Sequence, residues 1–209
     1  MTMKKSIVAS CVILFFLPLF FSCGTANPLN GLRVPGERQI LIKNISSEYF
    51  NIAEGYMDLK KYDKAAEYYK LAMGSKELKA SACYKLARCY ALSKKYDESL
   101  KLYSKLLQAD PANKDIRLSI AYISGMSGRI DEAIASYNQL FCEFPNDSSI
   151  LENIISLYLY KKDFDNSKKN YDILVEKFPD CKNIKTYEEK IELLKSEKES
   201  ADKKEAENP

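Results

Sequence analysis

Apolar and polar positions follow a helical rhythm through most of this chain. In "SACYKLARCYALS", Cys83, Leu86, Ala87 and Tyr90 recur at steps of three, one and three, which is one face of a helix. In "DESLKLYSKLLQADP", Leu100, Tyr103, Leu106 and Leu107 trace a second such face. The pair then returns at a fixed interval. Tyr69, Tyr103, Tyr137 and Tyr171 stand 34 residues apart, and so do Asp63, Asp97, Asp131 and Asp165. Pro111, Pro145 and Pro179 keep the same step, each eight residues after its tyrosine. Three residue types in one register mark a stacked repeat array. The register predicts units at 46–79, 80–113, 114–147 and 148–181, each a helix–turn–helix. The aspartate, preceded by Tyr62, Tyr96, Ile130 or Phe164, is expected to cap the second helix by accepting unpaired backbone N–H groups. The proline ends that helix, because it cannot continue one and restrains the residue before it.

The flanks differ. Residues 182–209 carry a stripe of Ile184, Tyr187, Ile191 and Leu194, predicting a helix that caps the fourth unit. Beyond about Ser196 the sequence is nearly all charge and is expected to fray into solvent. Residues 23–45, with Gly24, Pro28, Gly31, Pro35 and Gly36, read as a tether. Within it, residues 38–46 admit two readings: an early extension of the first helix, or a segment lying along the array with Ile40–Ile45 in its groove. At the start, Lys4 and Lys5 precede an apolar run of 15 residues, Ile7 to Phe21, broken by Ser10, Cys11 and Pro18. A membrane-spanning helix needs about 20 apolar residues. The positive start, short apolar middle and small Ser22 predict a signal peptide over residues 1–22.

Composition narrows the function. Charged residues at 29% and hydrophobic ones at 46% describe neither a disordered chain nor a polytopic membrane protein. The formal charge of +3 includes Lys4 and Lys5, so the rest of the chain carries no footprint for nucleic acid. Histidine is absent, removing the usual proton shuttle near neutral pH and the commonest metal ligand. Cys83, Cys89, Cys142 and Cys181 form no CxxC pair and read as buried or half-buried packing residues, with a Cys142–Cys181 bridge left as an alternative. No glycine-rich phosphate loop and no nucleophile with a placed base occur. No enzyme activity, cofactor, metal or small-molecule substrate is therefore expected.

The repeat resembles the tetratricopeptide repeat, whose seventh, eighth, eleventh, twentieth, twenty-fourth and thirty-second slots favour Leu, small, Tyr, Ala, aromatic and Pro. The second unit fills them with Leu86, Ala87, Tyr90, Ser99, Tyr103 and Pro111. Departures are Glu77 for proline, Ser124 for tyrosine and Ile155 for a small residue. The resemblance covers residues 46–181 and implies an all-α fold: a right-handed superhelix (solenoid) of about four units plus a C-terminal capping helix. It also implies a concave peptide-binding surface lined by the first helix of each unit. The corresponding slots hold Phe50, Glu54, Tyr84, Arg88, Leu118, Tyr122, Met126, Leu159 and Tyr160. That surface is apolar and aromatic, with Arg88 as the cation placed to meet a carboxylate. The subgroup that grips a chaperone's C-terminal carboxylate uses Lys and Asn where this chain has Phe50 and Glu54, so that activity is not carried over. The implied partners are other proteins, through an apolar or helical segment.

Leu19-Phe20-Phe21-Ser22-Cys23 resembles a bacterial lipoprotein signal, with Phe20 where the family usually has a small aliphatic residue. The resemblance implies a lipid on Cys23 and a membrane anchor in the bacterial cell envelope. Gly24, in a place where Asp signals inner-membrane retention, favours the outer membrane. The whole reading is a membrane-anchored scaffold for assembly or regulation of an envelope complex. The competing reading is an accessory subunit of a cell-envelope enzyme, or an enzyme itself.

Overall fold

The computed structural model of the chain describes residues 35–207. The signal-like segment, Cys23 and residues 24–34 lie outside the described residues. Among those described there are nine helices and no strand: α1 (Glu37–Asp58), α2 (Tyr62–Ala72), α3 (Lys79–Leu92), α4 (Tyr96–Ala109), α5 (Lys114–Met126), α6 (Ile130–Glu143), α7 (Ser148–Tyr160), α8 (Phe164–Lys177) and α9 (Ile184–Glu207). Helices α1 to α8 pair as four hairpins that stack into a superhelix, and α9 closes the last one.

Each hairpin closes through small residues. Ala53, Ala87 and Ala121 on the first helices meet Ala65, Ser99 and Ala133 on the second, all with no solvent exposure. Without bulk at these points the helix axes approach closely. Ser99 uses its hydroxyl as well, donating to the Ala87 carbonyl at 2.7 Å. In the fourth unit Ile155 replaces the small residue, and Ser167 across from it is fully buried. The periodic tyrosines fill the space beside these contacts. Tyr69, Tyr103 and Tyr137 are at most 2% exposed. The apolar interior then runs along the stack in three linked clusters, the last joining units three and four to Tyr187 and Ile191 of α9. Each fully buried Leu or Ile contributes about 1.5–3 kcal/mol.

The turn inside each hairpin is the same. Lys60, Lys94, Gly128 and Lys162, one residue per unit, adopt φ of 56°, 60°, 88° and 58°. The following amide reaches back to the carbonyl five residues earlier, Lys95 to Tyr90 at 2.8 Å and Arg129 to Ser124 at 2.9 Å. This is a Schellman closure, which satisfies carbonyls left unpaired at the end of the first helix.

Four expectations are corrected. The periodic aspartates do not cap. The residues before α2, α4 and α6 are Lys61, Lys95 and Arg129, none of which caps through its side chain. Asp63, Asp97 and Asp131 sit one position inside the helix, where the positive end of the helix dipole favours them. They reach across to the next unit instead. Asp63 pairs with Lys95 at 2.8 Å, Asp97 with Arg129 at 3.0 Å, Asp131 with Lys161 at 2.6 Å and Asp165 with Lys198 at 3.3 Å. These pairs are exposed, so each adds little stability. In the fourth unit Asp163 caps, accepting from the Asn166 amide at 3.1 Å. Second, the tether does not extend to residue 45: α1 begins at Glu37, and residues 38–46 extend the first helix rather than lying in the groove. After the Pro35-Gly36 turn no residue up to Asp58 breaks a helix. Third, α9 does not fray after Ser196 but continues to Glu207, because Lys, Glu and Ala are strong helix formers. Fourth, Cys142 is exposed, not packed. All four described cysteines are free, with Cys83 and Cys89 buried and Cys181 half-buried.

The close hairpin approach makes a specific prediction. Ser99→Ala should cost about 1 kcal/mol by removing one buried hydrogen bond. Ser99→Leu should cost more, about 2–3 kcal/mol, by wedging α3 and α4 apart. Chemical denaturation monitored by circular dichroism measures both, and equal losses would contradict the packing argument.

Candidate protein-binding groove

The first helices bring their inward slots to one side of the stack. Tyr84 and Arg88 on α3, Leu118 and Tyr122 on α5, and Asn153 on α7 line an open cleft of about 450 Å³. Its floor is Tyr103 and Tyr137 from the second helices. A second cleft of about 540 Å³ adjoins it, lined by Tyr122, Met126, Leu157 and Tyr160 over Tyr137. Tyr122, Tyr137 and Asn153 belong to both, so the two form one groove across units two to four. Gly125 lines the second cleft and lets α5 lie close to α7: a Cβ there would come within 3.1 Å of Leu157.

The floor is rigid. Tyr84 meets Tyr103 edge-on at 5.3 Å between ring centroids. Phe50 meets Tyr69 in the same way one unit earlier, also at 5.3 Å. Burial pushes the phenols of Tyr69, Tyr103 and Tyr137 well above their ordinary value, so they stay neutral. The rim is exposed and apolar. Tyr122, Met126 and Tyr160 are 54%, 53% and 75% exposed. A neutral aromatic trough with one guanidinium at its edge can bind an apolar segment and orient one carboxylate. Nothing in it is arranged to activate a nucleophile.

The sequence-predicted residues divide into two sets. Tyr84, Arg88, Leu118, Tyr122, Met126 and Tyr160 line the groove. Three others do not. Phe50 is half-buried against Tyr69 of its own hairpin and packs on the apolar cluster of the first two units. Glu54 accepts from the Tyr69 hydroxyl and from Lys85 Nζ at 3.0 Å, so its carboxylate is already partnered. Leu159 points to the other end, where it meets Leu193 and Leu194 of α9. Asn153 and Ser119 were missed. Both occupy the sixth slot of their unit, one place beyond the slot scanned, and short polar residues give no periodic signal. Neither Cys83 nor Cys89 is reactive. Burial raises both thiols, Cys89 to about 11.

Comparisons with known proteins bear on the family. Two tetratricopeptide repeat models match, over residues 50–114 and 91–151. The chain is a tetratricopeptide repeat protein. Solved structures share its fold. A tetratricopeptide repeat protein from Parabacteroides merdae ATCC 43184 is 19% identical with a TM-score of 0.62, over 74% of this chain and 61% of that one. MamA (41-end) from Desulfovibrio magneticus RS-1 is 13% identical with a TM-score of 0.59, over 76% of this chain and 98% of that one. MamA AMB-1 is 18% identical with a TM-score of 0.53, over 68% and 82%. This chain thus spans about 61% of the length of the Parabacteroides protein. No curated protein matches it. At these identities the likeness speaks to the fold, and the tetratricopeptide fold is an interaction scaffold.

The Glu54 cluster gives the array an acid-sensitive joint. Burial pushes the Glu54 carboxyl up, but the Tyr69 hydroxyl and the Lys85 ammonium outweigh it and hold it below the usual carboxylate value. A depressed native value contributes stability that is complete above the unfolded carboxylate value, about 4.3, and is lost as pH falls through the native one. Glu54→Gln should therefore be less stable than the parent near neutrality and lose less on acidification below about pH 4.3. Denaturant titrations at several pH values test this. Parallel curves would contradict it.

Proposed function

We propose that this tetratricopeptide protein is a membrane-anchored scaffold. Its groove holds an apolar, extended or helical segment of another protein, with Arg88 receiving an acidic residue of that segment. The observation that carries the reading is the continuous trough from Tyr84 to Tyr160, where exposed Tyr122 and Met126 sit above a floor of buried tyrosines. Exposed aromatic and methionine side chains clustered beside an arginine are the composition of binding hot spots. A peptide helix laid in the trough would bury them through anchors at helical spacing.

The anchor part of the proposal rests on residues 1–23. A lipid on Cys23 would hold the array at a bacterial envelope membrane, with the outer membrane favoured by Gly24. Each buried CH₂ contributes about 0.8 kcal/mol, so two or more acyl chains anchor stably where one does not. The array would then present its groove beside the membrane and concentrate its partner there, in assembly or regulation of an envelope complex.

Two outcomes are expected. Tyr122→Ala should weaken binding of the co-purified partner at least about tenfold, since a central aromatic anchor contributes more than about 1 kcal/mol. Because Tyr122 is exposed, the melting temperature should not move. Isothermal titration with the isolated partner measures this, and unchanged affinity would remove the groove from the binding site. Cys23→Ser should block signal processing or release the protein into the soluble fraction. Processing and membrane retention like the parent's would end the lipid assignment while leaving the groove untouched.

A further inference from the structure

The two ends of the stack are not equivalent. At the far end, α9 lies across the fourth unit with Tyr187, Ile191 and Leu194 buried against it. Its outer side is rich in Lys and Glu. That end is closed. Among the described residues the near end is not, and the repeat register shows what is missing there. In every later unit the third, seventh and tenth slots of the first helix face the preceding hairpin. They hold Ala82, Leu86 and Cys89, then Ile116, Ile120 and Ile123, then Ile150, Ile154 and Leu157. All are buried except Ile120 and Leu157, which are half-buried. The same slots of the first unit hold Glu48, Ile52 and Gly55, and all three are exposed. Ile52 is 41% exposed, where its counterparts Leu86 and Ile154 are 3% and 0%. The surface that elsewhere receives a helix receives none among the described residues.

The helix is also longer than this position needs. Helix α1 has 22 residues, against 13 or 14 for α3, α5 and α7. The extra turns carry Leu41 and Ile45, which are 57% and 44% exposed on the same face. Leu59, at 63%, completes the stripe at the other end. Ile45, Ile52 and Leu59 stand seven residues apart, as do Leu41, Glu48 and Gly55, the two sets offset by four. That is the spacing of a two-helix seam about 27 Å long. Its small member is Gly55, where an added Cβ would meet nothing within 4 Å, so the face has a notch as well as knobs.

We infer that this face is the two-fold interface of a homodimer, formed by α1 packing antiparallel on α1 of a second copy. Antiparallel pairing about Phe50 sets Leu41 against Leu59 of the second copy. It sets Ile45 into the notch at Gly55, and Ile52 beside the stem of Glu48. One face thus supplies its own complement, as a two-fold interface requires. The closed far end prevents the alternative of head-to-tail growth. A single seam of this length lies at the small end of specific interfaces, so the dimer forms in the micromolar range. Glu48 is its weak point. The two carboxylates approach near the two-fold axis, and each occupies a slot that is Ala or Ile in the other units.

Sedimentation velocity of the full chain, in density-matched detergent and from low to high micromolar concentration, tests this with three variants. The parent should pass from monomer to dimer with rising concentration. Ile52→Glu should stay monomeric throughout, and Glu48→Leu should dimerise at least about tenfold more tightly. Both sites are exposed, so circular dichroism should show the helix content of the parent. Should Ile52→Glu lose it, Leu59→Lys gives the same reading from the end of the seam. A parent and a Glu48→Leu variant that both remain monomeric would overturn the proposal. So would a dimer indifferent to Ile52→Glu and Leu59→Lys, or particles growing beyond two copies. Pelleting of a monomeric parent with phospholipid vesicles, abolished by Leu41→Glu and Ile45→Glu, would assign the face to a lipid surface and refute the dimer.

Discussion

The structure depends on how near two helices can come. Where Ala53, Ala87 and Ala121 face Ala65, Ser99 and Ala133, no side chain stands between the backbones. That closeness lets a single layer of tyrosines and aliphatic residues fill the interior of a hairpin only two helices wide. In the fourth unit, where Ile155 takes the first-helix place, the fully buried Ser167 stands across from it. One of the small residues, Ala121, also lines the second cleft of the groove.

Polar groups follow the same division between closure and spacing. Inside the hairpins they are few and satisfied, as with the Ser99 hydroxyl on the Ala87 carbonyl. Between hairpins they lie at the edge, in the line of aspartates bonded to the basic residue of the following turn. The partly buried pair of Lys114 with Asp147, at 2.6 Å, ties α5 to the cap of α7, and Arg117 holds both oxygens of Glu143, at 2.5 and 2.6 Å, across its own hairpin. The exposed line sets register among units whose apolar contacts supply the stability.

The fold was legible because its period is long, strict and carried by three residue types. The helix pairs, the prolines that end the second helices and the apolar stripe of α9 could all be read from spacing. What spacing hid was chemistry of equal period but different cause. An aspartate before a helix and one inside its first turn look alike in sequence. Only the left-handed residues at 60, 94 and 128, each followed at once by the N-cap position, separate the two, since they place the cap two residues before the aspartate. The groove was legible by slot, but slots name directions and not neighbours. Phe50 and Glu54 point inward, yet Tyr69 and Lys85 take them up. Leu159 failed for the opposite reason, since α9 reaches it from beyond the repeats.

Helix α9 runs 13 residues past Leu194, its last buried side chain. Glu197 and Lys198 still reach Lys162 and Asp165, so the spur proper is the nine residues beyond them, about 14 Å at 1.5 Å per residue. Whatever is joined to the C-terminus of this chain, by fusion or by nature, is carried on a stiff arm away from the trough rather than trailing back into it.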